Sequence, residues 1–264
     1  MLCSHDRPQW GEAHPNSVDV TPSPHEPHSA DLGLYVSFWR WLVASYFIIK
    51  SCVTLCYSIK KVSLGVHSIQ NKNKEPWTIR KVKAFPHPCY DDKEMVNDLM
   101  LLKLDKAVKE TKAVKFLPVL RELKEPQPGS KCLVAGWGKT TNLSKKMSDV
   151  LMAANVTVVN RVKCNSPEYY NYNPIITHSM LCAGPMTKKR EDYFVHALYN
   201  FHITSLTVVH VYENDCHGDS GGPLQCNGVL VGVTSFGKRC GVMPGVYSFL
   251  SERQITWIHK TIKK

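Results

Sequence analysis

Six short segments beyond residue 60 most constrain what this 264-residue chain can fold into. Each is rich in β-branched or aromatic residues and is separated from the next by Gly, Pro, Asn or Lys-rich breaks; they are Val62–Ile69, Trp77–Phe85, Leu99–Leu104, Cys132–Trp137, Asn155–Val159 and Val229–Phe236. Short strands with no helical segments between them predict an all-β sandwich or barrel.

The end of the chain has a different pattern. Ser251 and Gln254 have the spacing of a capping box, which often begins a helix. The isoleucines that follow have helical spacing; they are Ile255, Ile258 and Ile262. We therefore expect one C-terminal helix packed on the β domain.

The first 60 residues differ from the rest. Residues 1–30 contain five prolines and four histidines with little apolar pattern, which predicts disorder, and the histidines lack a metal-ligand spacing. The apolar stretch Leu32–Ile59 is interrupted by Arg40 and Lys50, so its uncharged run Trp41–Ile49 has 9 residues, fewer than the roughly 20 that a membrane span needs. No signal peptide is recognisable at the start.

The cysteine count and the net charge limit which metal sites and binding partners the sequence favours. Ten cysteines without a Cys-x-x-Cys pair favour disulfides over a zinc module. Residues 61–264 contain 29 basic and 17 acidic residues, a net charge of +12. Such a surface attracts polyanions, although an ordinary solvated cationic face explains the charge equally well. No specific nucleic-acid motif accompanies it.

The strongest chemical signal is the string Gly218-Asp219-Ser220-Gly221-Gly222-Pro223. A nucleophilic serine needs a tight turn that exposes its hydroxyl and directs backbone amides at a developing oxyanion, and small flanking residues permit that approach. Cys216 lies four residues before Ser220. Together these residues predict nucleophilic catalysis by Ser220.

Several further motifs occur in a fixed order around this string; they are Asn97–Leu104, Cys132–Gly138, Met180–Gly184 and Gly241–Tyr247. Taken together, they resemble the trypsin-like serine protease family. Three segments are similar to the granzyme A-like granule tryptases in particular, namely Leu64–Ile69, Phe85–Asp91 and Thr234–Gly237. The resemblance covers residues 62–190 and 213–264.

This resemblance implies a fold and a mechanism. The fold is a double antiparallel β-barrel with a C-terminal helix, its first barrel incomplete in this chain, and the site lies between the barrels. The reaction is peptide-bond hydrolysis through an acyl-enzyme, with Ser220 as nucleophile and Asp98 orienting the general base. The backbone amides of Gly218 and Ser220 match the oxyanion hole. Substrates are proteins or peptides, no cofactor or metal is implied, and the location is extracellular or in secretory granules.

Two family features are missing. The family's Thr-Ala-Ala-His-Cys string falls in residues 47–56, which contain no histidine. Neither His28, in the Pro-rich leader, nor His67, at a noncatalytic strand position, replaces it. No Ile-Ile-Gly-Gly-like start occurs either, which leaves the Asp219 carboxylate without its ammonium partner. We therefore expect impaired activity in this chain.

Residues 191–212 match nothing in the family. Their histidines are irregularly spaced, so we expect an unpaired β-like loop and neither a metal site nor a substitute base; they are His196, His202 and His210. The specificity-pocket floor falls on Asn214, with Asp215 one position away, where the granule tryptases have Asp. Gly237 and Gly245 match open pocket walls. Basic specificity is implied by the relatives and weakened by the neutral floor.

The resemblance also implies three disulfides, which are Cys132–Cys226, Cys164–Cys182 and Cys216–Cys240. Cys89 matches a cysteine that joins subunits, so a disulfide-linked homodimer is implied, with a free surface thiol as the alternative.

Three hypotheses remain open. The chain is a granzyme-like endopeptidase with a peptidase domain over 61–264, in which residues 1–60 and 191–212 come from mis-splicing or a wrong join. Alternatively, it is a noncatalytic protease-like protein that binds polyanions such as glycosaminoglycans. The third is a membrane-anchored form that uses Leu32–Ile59.

Overall fold

The structure is a computed structural model. It describes residues 36–38, 42–44, 47–51, 59–70, 77–114, 116, 119–138, 147–184, 195–197, 221–238 and 243–263. The chain divides into two units, Met1–Gly33 and Leu34–Lys264, and the first lies outside the described residues. The N-terminal segment predicted to be disordered, residues 1–30, is therefore also outside them.

The first sheet has six strands, namely β1 (Val36–Phe38), β2 (Leu42–Ala44), β3 (Phe47–Lys50), β4 (Lys61–Leu64), β5 (Thr78–Pro86) and β6 (Met100–Leu104). Their spatial order is β1-β4-β5-β6-β3-β2. The pairing of β1 with β4 is parallel, and the other pairings are antiparallel. Since no pairing joins the two ends among the strands described, the sheet is a curled half-barrel.

The second sheet has seven strands, namely β7 (Lys131–Gly136), β8 (Met152–Val159), β9 (Met180–Gly184), β10 (Val195–Ala197), β11 (Pro223–Cys226), β12 (Val229–Phe236) and β13 (Gly245–Phe249). Their order is β10-β8-β7-β11-β12-β13-β9, and β8 also pairs with β9. This pairing closes a ring of six strands with β10 outside it. The prediction of an all-β double barrel with an incomplete first barrel is confirmed.

Two helices complete the described chain. Helix α1 (Arg161–Asn165) begins at Asn160, whose side chain accepts hydrogen bonds from the backbone amides of Val162 and Lys163. Helix α2 (Glu252–Ile262) confirms the predicted terminal helix. Ser251 precedes it, but its hydroxyl bonds to the Gln254 side chain and caps no backbone amide, so this serine does not cap the helix as the capping box predicts.

The core of the first sheet extends into the second half of the chain. It includes Ile48 of β3 and Leu101 of β6, together with Val233 of β12 and the buried face of α2, represented by Trp257 and Ile258. Burial of these apolar surfaces stabilises the fold and holds β3, β6 and β12 against one another. The functional side chains described below stand on or beside these elements.

The structure corrects several predicted boundaries. The first predicted strand, Val62–Ile69, ends as a strand at Leu64, and only an isolated bridge at Ser68 follows. The insertion 191–212 is not wholly unpaired, because Val195–Ala197 forms an antiparallel pairing with β8. Strands also occur at 36–50, within the region that the sequence analysis places outside the peptidase domain. No helix in the described part of the chain is long and apolar enough to span a bilayer.

Candidate active site

Asp98 lies at the centre of the candidate site, immediately before β6, and its side chain is completely buried. The preceding Asn97 has φ of 55°, a left-handed conformation that Asn tolerates better than most residues. The Asn97 side chain accepts a hydrogen bond from Gln254 Nε2 at 2.9 Å and donates one to the Cys89 carbonyl at 2.8 Å. Helix α2 and the β5–β6 connection therefore fix the turn that presents Asp98.

Two serines of the second sheet also hold Asp98. Ser248 Oγ on β13 donates to the Asp98 backbone carbonyl at 2.9 Å, and Ser235 Oγ on β12 donates to its carboxylate oxygen Oδ2. The register of β12 against β13 shifts between Thr234 and Phe236. Such a bulge redirects the side chain at its centre, which accounts for how Ser235 reaches Asp98. Both sheets thus contribute to one buried carboxylate site.

Ser51 binds the same carboxylate oxygen as Ser235. Its Oγ donates to Asp98 Oδ2 at 2.6 Å, and Ser51 is fully buried. In the triad, the aspartate accepts its hydrogen bond from the histidine. Ser51 is followed by Cys52, as the histidine of the family string is followed by cysteine. A serine therefore stands where the general base is expected.

Lys50 is the unexpected member of the site. It ends β3, is 3% exposed, and its Nζ makes one weak hydrogen bond of 3.5 Å to the Ser51 carbonyl. Burial lowers the pKa of Lys50 to about 8, and the negative charge of Asp98 opposes this shift. Lys50 is therefore a buried amine that titrates near neutral pH.

The Lys50 side chain packs against the backbone of Gly221. The φ of Gly221 is 88°, and a Cβ built there would be 2.9 Å from Lys50 Cγ and 3.4 Å from Lys50 Nζ. The Gly221 amide donates to the Thr234 carbonyl at 2.9 Å, which anchors this segment to β12. A side chain at position 221 would displace Lys50, so glycine permits the close approach.

The negative charge at Asp98 also acts on a neighbouring phenol. The pKa of Tyr90 is raised to about 12, first by burial and then by the charge of Asp98, with smaller contributions from Asp92 and Asp91. Tyr90 therefore remains a neutral phenol at physiological pH and contributes no ionised group to the site.

The predicted pocket walls lie together. Gly237 follows the end of β12 and Gly245 begins β13, and they flank the paired residues Phe236 and Val246. A Cβ built on Gly245 would lie 3.3 Å from Tyr247 Oη, so the Tyr247 side chain occupies the space beside this glycine.

Two of the three implied disulfides are present. Cys132 and Cys226 are directly opposite on β7 and β11 and are bonded, and Cys164 of α1 is bonded to Cys182 of β9. Cys89 is also disulfide-bonded, with its other half outside the described residues. A covalent dimer through Cys89 would require that bond to open.

The remaining predicted site residues lie outside the described residues. These are the nucleophile Ser220, the oxyanion-hole residue Gly218, the pocket-floor residues Asn214 and Asp215, and the cysteines Cys216 and Cys240. The structure therefore places Asp98, Gly237, Gly245 and four disulfide cysteines, and it describes the chain again directly after Ser220.

The sequence analysis missed the contributions of Lys50, Ser51 and Ser248. The first two had a signal, because Ser51-Cys52 matches the end of the family string and Lys50 is a charge within an apolar run. Ser248 had none, since its role depends on the pairing of β13 with β12.

With fold and site in place, comparison with known proteins identifies the class. The family model described as Trypsin matches residues 50–194 and 197–258. The chain belongs to the trypsin family of serine proteases. Granzyme A of Bos taurus is 41% identical over 204 residues, which are 76% of this chain and 70% of that protein.

Two further relatives agree with this assignment. Granzyme B of Rattus norvegicus is 36% identical over 203 residues, which are 77% of this chain and 71% of that protein. The solved structure of neuropsin, a serine protease expressed in the limbic system of mouse brain, is 30% identical, with a TM-score of 0.63 over 83% of this chain and 85% of that one.

Proposed function

We propose that this chain is a trypsin-like serine endopeptidase that forms an acyl-enzyme at Ser220 and turns over slowly. The observation that carries the proposal is the buried Asp98 carboxylate, which accepts hydrogen bonds from Ser51 and Ser235, while the carbonyl of the neighbouring Thr234 accepts one from the Gly221 amide. Gly221 follows Ser220 in the chain. These contacts support an orienting role for Asp98 in a chain whose residues 47–56 contain no histidine.

The missing histidine determines the expected rate. In the family mechanism, histidine removes the serine proton and later returns it to the leaving amine, and aspartate only orients it. The Ser51 hydroxyl is too weak a base to accept that proton at neutral pH. Loss of the histidine from such a triad costs about 10⁶ in kcat, or roughly 8 kcal/mol of transition-state stabilisation.

Substrate preference follows from the pocket residues. The match of Gly237 and Gly245 to the family's glycines supports an open pocket that admits a long side chain at the cleaved position. With Asn214 at its floor, a Lys or Arg substrate loses about 1.5–3 kcal/mol relative to a carboxylate partner. Protein or peptide substrates in an extracellular or granule compartment fit the family, and these assignments belong to the same proposal.

Labelling with a fluorophosphonate tests the nucleophile. We expect slow, stoichiometric labelling that Ser220→Ala abolishes, because the reagent phosphonylates an activated serine and needs no leaving-amine protonation. Ser166→Ala, at a half-buried serine after α1, serves as the matched control and should label like the unchanged chain. If the label is absent at every pH up to about 10, Ser220 is not a nucleophile and the proposal is overturned.

A second candidate function, polyanion binding, is favoured by a specific arrangement of lysines. Lys61 of β4 stands directly opposite Lys81 of β5, and Lys83 of β5 stands opposite Lys103 of β6. Lys61, Lys81 and Lys83 are exposed. Like charges at opposed positions destabilise a sheet unless an anion offsets them. This lysine ladder suits a sulfated glycosaminoglycan.

Heparin chromatography tests the ladder. The double variant Lys81→Glu, Lys83→Glu should elute at clearly lower salt, because two attractive charges become repulsive ones. Lys124→Glu, Lys260→Glu makes the same change at exposed positions away from the ladder and should elute later than the ladder variant. Equal elution of the two variants would mean that only net charge matters.

A further inference from the structure

We propose that Asn155 is an N-glycosylation site that carries an oligosaccharide on the outer face of the second sheet. Asn155, Val156 and Thr157 form the acceptor sequence Asn-x-Thr, in which the middle residue is not proline. The chain contains one other acceptor sequence, at residues 142–144, which lies outside the described residues. The inference goes beyond the proposed function, because it needs no catalysis at Ser220.

The alternation of side chains along β8 directs Asn155 to solvent. Neighbouring side chains of a strand point to opposite faces, and Val156 and Val158 are buried in the core of the second sheet. Asn155 and Thr157 therefore stand on the outer face, where Asn155 is exposed and Thr157 is half-buried. The side-chain nitrogen that accepts the sugar is thus directed away from the core.

The surroundings of Asn155 leave room for a bulky group. On β7, the residue opposite Asn155 is the half-buried Leu133, and the exposed Lys131 stands opposite Thr157. On the other side of β8, β10 pairs only as far as Ala154 and β9 pairs only from Thr157 onward, so no described strand pairs with Asn155 there. Among the described residues, none forms a hydrogen bond with the Asn155 side chain. Attachment of a sugar therefore breaks no described contact of this side chain.

The disulfides support passage through the compartment in which glycans are added. Cys132 is bonded to Cys226 and Cys164 to Cys182, and Cys89 also belongs to a disulfide. Disulfides form and persist in oxidising compartments such as the lumen of the endoplasmic reticulum, where oligosaccharides are transferred to asparagine. The extracellular or granule location in the proposed function requires the same route.

The transfer step balances without a change of oxidation state. The co-reactant is an oligosaccharide linked to a lipid diphosphate. Asn155 Nδ2 forms a bond to C1 of the first sugar, the bond between C1 and the diphosphate oxygen breaks, and the lipid diphosphate leaves. The amide nitrogen gives up one proton. The Thr157 hydroxyl completes the sequence that the transferase recognises.

A glycan at Asn155 changes the surface of the second sheet. Oligosaccharides are bulky and solubilising, and this one stands beside the half-buried, apolar Leu133. It therefore hydrates the outer face of β7 and β8 without entering the core beneath Val156.

The test is the glycan state of the full chain, expressed in mammalian cells behind a cleavable secretion signal. Asn142→Gln serves as the background, so that Asn155 is the acceptor that remains. We expect peptide N-glycosidase to increase the gel mobility of this chain and to convert Asn155 to aspartate, which peptide mass spectrometry locates. Thr157→Val should abolish the shift because it removes the hydroxyl and keeps a β-branched side chain. Thr157→Ser, the matched control at the same position, should retain the shift.

The outcomes decide the proposal even if a variant misfolds. The sugar is added as the chain enters the lumen and before it folds, so the shift is scored in total cell extract. An unshifted Asn142→Gln chain whose signal has been removed overturns the proposal, and so does a shift that persists in Thr157→Val. Glycan confined to aggregated chain, with only unglycosylated chain soluble, also overturns it. Labelling of Ser220 is scored separately, so failure of either proposal leaves the other standing.

Discussion

At the scale of single residues, burial sets the acid–base behaviour of the described site. Burial destabilises the charged form of Lys50 and lowers its pKa to about 8. Below that pH, the folded chain therefore holds an ammonium group in a poorly solvated place. Both folded and unfolded chains bind this proton below pH 8, so the full cost is present there and disappears as the pH rises toward 10.5.

His87 is a second residue whose charged form is destabilised by burial. Its ring is buried against Trp257, with the ring centroids 4.8 Å apart, and its Nδ1 accepts a hydrogen bond from the Cys89 amide. Burial lowers the pKa of His87 to about 4. As the pH falls below about 6.5 the unfolded chain takes up this proton and the folded chain does not, so stability is lost between pH 6.5 and 4.

Replacing His87 should remove that part of the acid sensitivity. Between pH 7 and 4.5 the unchanged chain should lose about 2–3 kcal/mol of unfolding free energy through this group, and His87→Gln should lose correspondingly less. Urea denaturation at the two pH values measures the difference. His178→Gln, at an exposed histidine, is the control. Equal losses in both variants would show that His87 is not the group responsible.

At the scale of elements, strands rich in β-forming residues could be predicted from the sequence. Strands that form because of the strands they pair with could not. Val229–Phe236 was predicted at its observed bounds because its residues are strongly β-forming. Strand β3 was missed since all four of its residues are buried, and a short apolar run has no period that distinguishes a strand from a helix. Strands β11 and β13 lie within motifs whose composition is dominated by Gly and Pro.

The disulfides join elements over very different chain lengths. Cys132–Cys226 closes a separation of 94 residues and Cys164–Cys182 one of 18. Chain entropy predicts that removing the first, as Cys132→Ala with Cys226→Ala, costs about 4–5 kcal/mol, and that removing the second costs about 3 kcal/mol. Guanidinium denaturation of the two double variants compares them. A larger loss from Cys164–Cys182 would contradict this ordering.

At the scale of the whole molecule, the sequence motifs predicted Asp98, which the structure places at the centre of the described site, and they missed Lys50 and Ser51. Asp98 could be predicted because the surrounding motif is distinctive. The pairing of Ser51 and Lys50 with that aspartate could not, since it depends on β3 meeting β6 and on the close approach of Gly221. The sequence shows only that the histidine is missing. The structure shows in addition that the Ser51 hydroxyl contacts Asp98 and that the neighbouring Lys50 amine is buried.

One measurement tests most directly the claim that this is a protease site that lacks its histidine base. The double variant Lys50→Ala, Ser51→His restores the Ala-His-Cys string and places an imidazole at Asp98, while removing the side chain that lies against Gly221. The measured quantity is kcat/KM for a chromogenic peptide ester, with the same variant carrying Ser220→Ala as background. The account predicts a rise of about 10²–10⁴-fold, the usual contribution of a positioned general base. A folded double variant no faster than the unchanged chain would contradict it.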